Sequence, residues 1–598
     1  MSILFTLSSC ALFMSLVAWI SYQKTKGEVE DKDGYFLAGR GLSGAFIAGS
    51  LLLTNISAEH LVGMNGNSYR GNLSGMGWEV TAAIAIVIMA VYILPKYLGG
   101  AFTTLPEFLN TRYDATVRRM SVVLFLVGYI LVTIPACLYS GALAVLKLFD
   151  VPKLIGISFT QSVWLLVWIV GIIGAIYAVF GGLRAVAVSD TLNGIGLIVV
   201  GIMVPIFGLI VLGDGSFSKG FVTMTTVHAY KLNAIGGSKD SVPFGTLFTG
   251  MIYANLFYWG TNQYVIQRAL GAGSLKEGQK GVMFSGLYKI MIPLIVMIPG
   301  VIAYHIVGEG LNPVDLAYPA IVTKVLPQYL SGLFLAVLLG AVLSTFNSLL
   351  NSAATMFALD IYKPIFNPET NDANLIKVSK YFAILVALVS FCVSPLLMYA
   401  PDGIFDIIRA FTGFFNIPTI VLVAVGILTK RVPALAAKVV MVFHVITYYM
   451  LVWGFKQIFG INIGINFIHI YFILFWIEVS MMLLIGKKNP RETEYVYESH
   501  AQVDLLPWRS GPAFATFIFT AVVMCYVIFS PIGLAYEKSV VSQWFWPVIS
   551  GVIVIGTFLG FLAHTKGYER YKNYIMKEHP ECFDENKDAV IEPTSLKN

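Results

Sequence analysis

The sequence predicts an all-α polytopic membrane protein, and three observations carry that prediction. The chain is 57% hydrophobic and only 12% charged, about half the charge of an ordinary soluble domain, and its mean hydropathy is +0.77. Such a chain cannot cover a water-facing surface. Apolar runs of the ~20 residues that cross a bilayer as a helix recur from end to end, among them ILFTLSSCALFMSLVAWISY at 3–22 and GIGLIVVGIMVPIFGLIVLG at 194–213. Lys and Arg gather in alternate connections between those runs, as a chain that weaves through a membrane requires.

Taken in order, the candidate spans are fifteen: 3–22, 42–69, 76–97, 118–148, 159–180, 185–213, 244–264, 279–308, 329–362, 374–399, 402–427, 431–456, 467–486, 512–532 and 543–565. The first has no basic leader and no small-residue cleavage site, so it is predicted to remain as a helix. Lys24, Lys26, Lys32 and Arg40 follow span one, and Arg112, Arg118 and Arg119 follow span three. Arg268, Lys276 and Lys280 follow span seven, Lys363, Lys377 and Lys380 span nine, and Lys487, Lys488 and Arg491 span thirteen. Connections after even spans are poorer in positive charge, except 214–243, with Lys219, Lys231 and Lys239, which is read as a longer outer loop. This places the N-terminus outside and the C-terminus, with the tail 566–598, in the cytoplasm. The net charge of +6 is mostly that bias; its scatter among loops gives no nucleic-acid-binding face. Five cysteines without a CxxC pair indicate neither a metal site nor a disulfide framework.

Polar residues inside apolar spans are costly, about 2.5–3.5 kcal/mol for a charge at mid-bilayer, and so they mark function. Span two carries Thr54, Asn55, Ser57, Glu59 and His60 near its centre; span seven, MIYANLFYWGTNQYVIQRAL, carries Asn255, Tyr258, Trp259, Gly260, Asn262 and Gln263. If spans 2–6 and 7–11 are two five-helix repeats, these are their first helices, and interrupted segments at matching positions point to a transporter's site. In span nine, Ala341, Ser344, Thr345, Ser348, Ser352 and Thr355 form a stripe at three- and four-residue steps. Close helix packing is the first explanation of that stripe; hard-oxygen ligands for a small cation, facing carbonyls freed where span two unwinds, are the second. Glu79 opens span three and is either interfacial or functional. Lys289 lies deep in span eight, where a carboxylate or a ligand is the expected partner. Asp190 opens span six, a position a helix dipole would favour.

Four stretches, "NISAEHLVGMNGNSY", "VFGGLRAVAVSDTLN", "ANLFYWGTNQYVIQRAL" and "LSTFNSLLNSAATMFALDIYK", occur in order within residues 34–430. Together they resemble the sodium:solute symporter family, specifically its sodium/sugar cotransporter branch and bacterial sodium/galactose-type members. The resemblance implies a LeuT-type core of two inverted five-helix repeats with flanking helices. The corresponding division is an N-terminal helix and inner linker (1–40), the first repeat (41–213), a connecting loop (214–243), the second repeat (244–430), accessory helices (431–565) and the tail. The family norm is fourteen helices, so the fifteenth is an added terminal helix or an overcount.

The resemblance also implies site residues. Asn55, His60, Glu79, Asn255, Tyr258, Trp259 and Lys289 match the family's sugar site, with His60 where the bacterial galactose carrier has glutamine. Asn, Glu and Lys would hydrogen-bond sugar hydroxyls while Tyr258 offers a ring face. The sodium site maps to the carbonyls of Leu53, Ile56 and Ala341 and the hydroxyls of Ser344 and Thr345. Asp190, Asn347 and Ser348 match a second sodium site of some members. One residue departs: Arg409 stands where the sugar carriers have a substrate-contacting glutamine. A guanidinium only donates and matches carboxylate or sulfate, so an acidic or sulfated sugar is one reading; an Arg409–Asp406 pair on one helix face, with a neutral sugar still bound, is the other.

The expected function is secondary active transport at the plasma membrane, with Na⁺ as coupling ion, no organic cofactor, a sugar-like solute and no nucleic-acid partner. Sialic acid, inositol, proline or a vitamin are alternative solutes, and a solute sensor or sodium leak channel is the alternative class. No nucleophile motif, HExxH, Walker loop or pair of catalytic carboxylates suggests an enzyme.

Overall fold

The computed structural model describes the backbone at residues 3–25, 36–56, 60–311, 314–399, 404–497 and 499–583, and side chains there except at 3–4, 24–25, 147–148, 176–186, 404–407 and 581. Helices follow one another along the chain: α1 (Phe5–Gln23), α2 (Gly44–Asn55 and His60–Arg70), α3 (Leu73–Gly99), α4 (Ala115–Leu146), α5 (Phe159–Ala175) and α6 (Ala187–Leu212). Next come α7 (Gly250–Gly260 and Gln263–Leu270), α8 (Leu275–Val307), α9 (Gln328–Phe366), α10 (Asp372–Tyr399) and α11 (Ile408–Leu428). The series ends with α12 (Ala434–Phe459), α13 (Phe467–Lys488), α14 (Gly511–Ile528) and α15 (Phe545–Glu578). Among the described residues twelve helices are individually long and apolar enough to cross a membrane, thirteen with the bent α2 counted.

Polar side chains sit within an otherwise apolar interior, and the outside is apolar too. Asn, Ser, Thr and even Arg side chains are buried between helices, whereas Trp19, Val127, Ile195, Leu388, Trp476 and Phe558 are exposed on the outside. That apolar exterior suits a lipid solvent, which offers exposed polar groups no hydrogen bonds.

α5 and α6 belong to one continuous helical run, Phe159–Leu212. Two observations make it two crossings. A Cβ on Gly174 would meet Phe346 and Leu343, and one on Gly340 would meet Asn193. A straight helix would separate residues 174 and 193 by ~28 Å, yet both abut the same short stretch of α9. Parity agrees. The connections after α1, α3, α7, α11 and α13 meet on one face: Leu42 bridges Ala272, Ser274 bridges Asp504, Arg112 donates to the Thr429 and Val432 carbonyls at 3.0 and 3.1 Å, and Arg491 N donates to Arg431 O at 2.8 Å. Those after α2, α6, α8 and α14 meet on the other: Lys231 Nζ donates to Tyr69 O at 2.8 Å, Tyr69 OH to Gly308 O at 2.6 Å, and Ala234 N to Phe529 O at 2.7 Å. A single crossing by 159–212 would put 214–243 on the wrong side.

The same packing explains the one basic connection on the even face. Lys231 is buried, with Nζ also on Gly71 O at 3.0 Å and 3.7 Å from the Tyr304 ring centroid. It is a structural cation, not a topogenic one. A helix does form at the fifteenth position, and it runs beyond residue 565 to Glu578, where Lys96 of α3 meets the Glu578 carboxylate.

Candidate functional site

Two helices break near their middles, and the site forms where they meet. The halves of α2 meet at 58°; Ile56 leaves helical geometry at ψ 84°. Ser57 and Glu59 lie outside the described residues. In α7 the break falls at Thr261 and Asn262, whose amides both turn back to Phe257 O at 2.9 Å. Broken backbone survives in a membrane only when buried in protein or lining a cavity, and both breaks are enclosed: Asn55, His60, Thr261 and Asn262 are all buried.

The predicted sugar-site residues come together around these breaks. Asn55 Nδ2 donates to Tyr258 OH at 2.8 Å, and Tyr264 OH donates to the same oxygen at 2.7 Å. Glu79 lies between two side chains: Lys289 Nζ is hydrogen-bonded to Oε2, and His60 Nε2 lies 3.5 Å from Oε1. Glu79 is therefore not interfacial, and Lys289 has the carboxylate its depth demands. Lys289 also sits 5.6 Å from the Trp259 ring centroid. Asn255 Nδ2 donates to Thr81 Oγ1 at 3.0 Å.

Arg409 joins this array. Its NH2 approaches His60 Nε2 at 3.5 Å, and its guanidinium lies 5.3 Å from the Trp78 ring and 6.0 Å from that of Tyr258. The Asp406 side chain lies outside the described residues. With Asn255, Tyr258, Asn262, Tyr264 and Asn416, Arg409 lines one small cavity between α3, α4, α7 and α11. Two buried acceptors of this neighbourhood, Asn55 Oδ1 and Asn416 Oδ1, have no hydrogen-bond partner among the described residues. Buried acceptors are normally satisfied, so these suit the hydroxyl or amine of a ligand.

Behind α2, away from the cavity, lies the oxygen-rich stripe of α9. Thr345 Oγ1 donates to Thr54 O at 3.2 Å, which presses the stripe against the turn before the break. Leu53, Ile56, Ala341, Ser344 and Thr345 are all buried, and Ser344 Oγ has no hydrogen-bond partner among the described residues. Asp190, Asn347 and Ser344 line a second cavity, bounded by α1, α5, α6 and α9. Asp190 lies in the first turn of α6 and is more than a helix-start charge: it is fully buried and accepts from Ser50 Oγ at 2.8 Å. Ser348 turns elsewhere, to Thr54 Oγ1 at 3.3 Å and to Arg268.

Arg268 is the largest departure from the sequence reading, which assigns it to an inner connection. It is fully buried and donates to Ser348 Oγ, Tyr264 O and, at 3.3 Å, Ser50 Oγ. A closed ring of hydrogen bonds results: Asn55 to Tyr258, Tyr258 to Tyr264, Tyr264 to Arg268, Arg268 to Ser348, and Ser348 to Thr54, the neighbour of Asn55. Trp78, Tyr264 and Asn416 also belong to the site unforeseen, and Asn262, noted as a polar residue of span seven, joins them. Tyr264 and Arg268 had a signal: four residues apart, they share one helix face with Gln267 just beyond the break.

Comparisons with known proteins fit this geometry. The family model described as the sodium:solute symporter family matches residues 35–443. The uncharacterized symporter YidK of Escherichia coli (strain K12) is 42% identical over 547 residues, covering 91% of this chain and 93% of YidK. The sodium/glucose cotransporter of Vibrio parahaemolyticus is 30% identical over 444 residues, covering 70% of this chain and 79% of that one. A solved Na⁺-coupled sialic acid symporter, substrate-bound and outward-open, shares the fold with a TM-score of 0.70 at 19% identity, covering 82% of this chain and 99% of that one. Mhp1, a nucleobase-cation-symport-1 family transporter in a closed conformation, superposes at 0.51 with 14% identity, over 76% and 94% of the two chains. The chain is a multi-pass membrane protein with a LeuT-type core and belongs to the sodium:solute symporter family.

Proposed function

We propose that the protein couples inward movement of Na⁺ to uptake of a sugar or sugar derivative by alternating access. The observation that carries this reading is the α2 break, with a hydroxyl-matching polar cavity on one side and an oxygen stripe on the other. Asn55, His60, Glu79, Asn255, Tyr258, Trp259 and Lys289 would hold the solute. Alternating donors and acceptors beside aromatic faces match a polyol better than an amino-acid backbone. The relatives named sodium/glucose and sodium/myo-inositol cotransporters agree with a polyol.

Na⁺ is a hard ion that takes oxygen ligands, and the carbonyls of Leu53, Ile56 and Ala341 with the hydroxyls of Ser344 and Thr345 would supply five. The unpartnered Ser344 Oγ supports that set. A second site would use Asp190 and Asn347, with Ser348 a weaker member because Arg268 already occupies it. Arg409 on the cavity wall favours a second reading of the solute, a carboxylated or sulfated sugar. The face bearing the odd connections, richer in Lys and Arg, would be cytoplasmic, with the N-terminus outside and the membrane a bacterial inner membrane.

Uptake into proteoliposomes under an inward Na⁺ gradient, with Na⁺-free controls, tests all of this across galactose, glucose, glucuronate and a sulfated hexose. Neutral hexose accumulation supports the first reading, and preference for the acidic sugars supports the second. Accumulation of none would favour another solute class or a sensor.

A further inference from the structure

Helices α12 and α13 lie outside the ten-helix core, yet they reach the substrate cavity through α11. On α11, Arg409, Thr412 and Asn416 recur at helical spacing and line the cavity. The carbonyls of the same turn face the other way and are held from outside. Tyr471 OH donates to Arg409 O at 2.6 Å, Tyr448 OH to Ala410 O at 2.6 Å, and His444 Nε2 to Gly413 O at 2.9 Å. The clasped turn precedes Pro418, which lacks the N–H that Phe414 O would accept, so the clasp lies next to the point where the helix loses one of its own bonds.

The clasp is itself fixed. His444 Nδ1 lies 2.6 Å from Glu478 Oε1, and neither side chain is exposed to any degree. A carbonyl only accepts, so Nε2 carries a proton; two acceptors do not approach within 2.6 Å, so Nδ1 and Oε1 share another. The two contacts, one on each ring nitrogen, fix the ring orientation. Tyr448 stacks on His444 at 5.5 Å between centroids with planes 10° apart. Its close approach needs Gly413, where a Cβ would fall 2.2 Å from the Tyr448 ring.

We propose that His444, Glu478, Tyr448 and Tyr471 are positioning residues for solute recognition: they hold the α11 turn that presents Arg409, Thr412 and Asn416. The accessory helices then set solute affinity without touching solute. This rests on the reading of the cavity as the solute site, so the test has two independent readouts on the full chain in nanodiscs and proteoliposomes.

The first is backbone amide exchange. Tyr471→Phe, which removes one hydroxyl, speeds exchange across 409–417 about fivefold, the factor of one net hydrogen bond, and His444→Leu speeds it more. Gly44–Asn55 and Ser331–Met356 keep wild-type rates. The second is Na⁺-driven uptake of galactose, glucose, glucuronate and a sulfated hexose: both variants raise KM and leave the maximal rate within about twofold, a smaller factor than one hydrogen bond. Glu478→Gln, whose amide can still donate to Nδ1, stays near wild type in both, whereas Glu478→Ala behaves as His444→Leu. Wild-type exchange in Tyr471→Phe and His444→Leu, or a uniform rise along the whole chain, overturns the proposal. If exchange responds but wild-type protein accumulates none of the sugars, the solute reading fails while the clasp stands.

Discussion

The Glu79–Lys289 pair separates stability from function more cleanly than any other feature of the site. Its side chains are 1% and 4% exposed, in a span where water cannot relieve an unpaired charge. Removing one partner of a buried pair costs about 3–5 kcal/mol, because the other charge is stranded; replacing both with apolar groups of similar size is near neutral. Glu79→Leu therefore lowers stability by about 3–5 kcal/mol. Lys289→Met costs less, since His60 Nε2, 3.5 Å from the other carboxylate oxygen, remains beside Glu79. The double variant recovers most of the loss, giving a coupling of at least ~3 kcal/mol, at or above the upper end for residues in contact. Reversible SDS titration in mixed micelles measures the three stabilities, and Na⁺-driven uptake measures function. Uptake fails in all three variants, because the hydroxyl-matching array is gone in each. Two singles that each lose under ~1 kcal/mol, with no recovery in the double, would refute the argument, since that is the range of an exposed pair.

Ser344→Ala and Thr345→Val each raise the Na⁺ concentration for half-maximal uptake about tenfold, the equivalent of ~1.4 kcal/mol, while solute KM at saturating Na⁺ stays near wild type; unchanged Na⁺ dependence in both would remove the stripe as an ion site. Ser348→Ala leaves Na⁺ affinity without solute near wild type but shrinks the factor by which solute tightens Na⁺. A fall in Na⁺ affinity without solute would make Ser348 a ligand instead. On the face shared by the connections after α2, α6, α8 and α14, burial of Lys231 pushes its ammonium from the ordinary 10.5 down to about 8, a shift that Glu309 only partly opposes. Between those values the unfolded chain binds the extra proton, so stability rises with pH from about 8 to 10.5. Thermal melts across that window show the rise in wild type and a flatter profile in Lys231→Met.

The apolar spans, and the connections that share one face, were legible in the sequence because lipid imposes one rule, apolar length, and basic residues mark alternate connections. Glu79, Lys289, Asn55 and His60 stood out for the same reason: a polar group in an apolar run must have a partner. What stayed hidden depends on which faces meet. Arg268 reads as a loop cation because it lies at the edge of a polar stretch, and only the α7 break turns it inward. Trp78 and Tyr264 are ordinary aromatics until Arg409 and Tyr258 arrive from distant helices. Lys231 reads as a weak violation of charge bias because its partners are backbone carbonyls, which no side-chain pattern announces. The 159–212 helix shows the converse, since its two crossings are plain from hydropathy while the backbone alone runs on without a gap.

The hydrogen-bonded ring gives the α2 break its mechanical sense. Thr54 and Asn55 are adjacent, yet one faces the oxygen stripe and the other the cavity, and the ring closes between them through α7 and α9. Three of its bonds join different helices, Asn55 to Tyr258, Arg268 to Ser348 and Ser348 to Thr54, so the end of the first half of α2 cannot shift without breaking a bond to α7 or to α9. Buried bonds of this kind are costly to leave unmade, which favours two discrete arrangements over a continuum. An ion that fixes the turn at Leu53–Ile56 thereby also fixes Asn55 and Tyr258. By linkage, a solute that fixes Asn55 and Tyr258 returns the same free energy to the ion. Arg268 stands where both effects pass: it binds Ser348 on the ion side and the Tyr264 backbone on the solute side, and through Ser50 it reaches Asp190. A buried guanidinium with three neutral acceptors and a carboxylate one bond away would be an extravagant way to pack helices, but it is an economical way to make two sites report to one another.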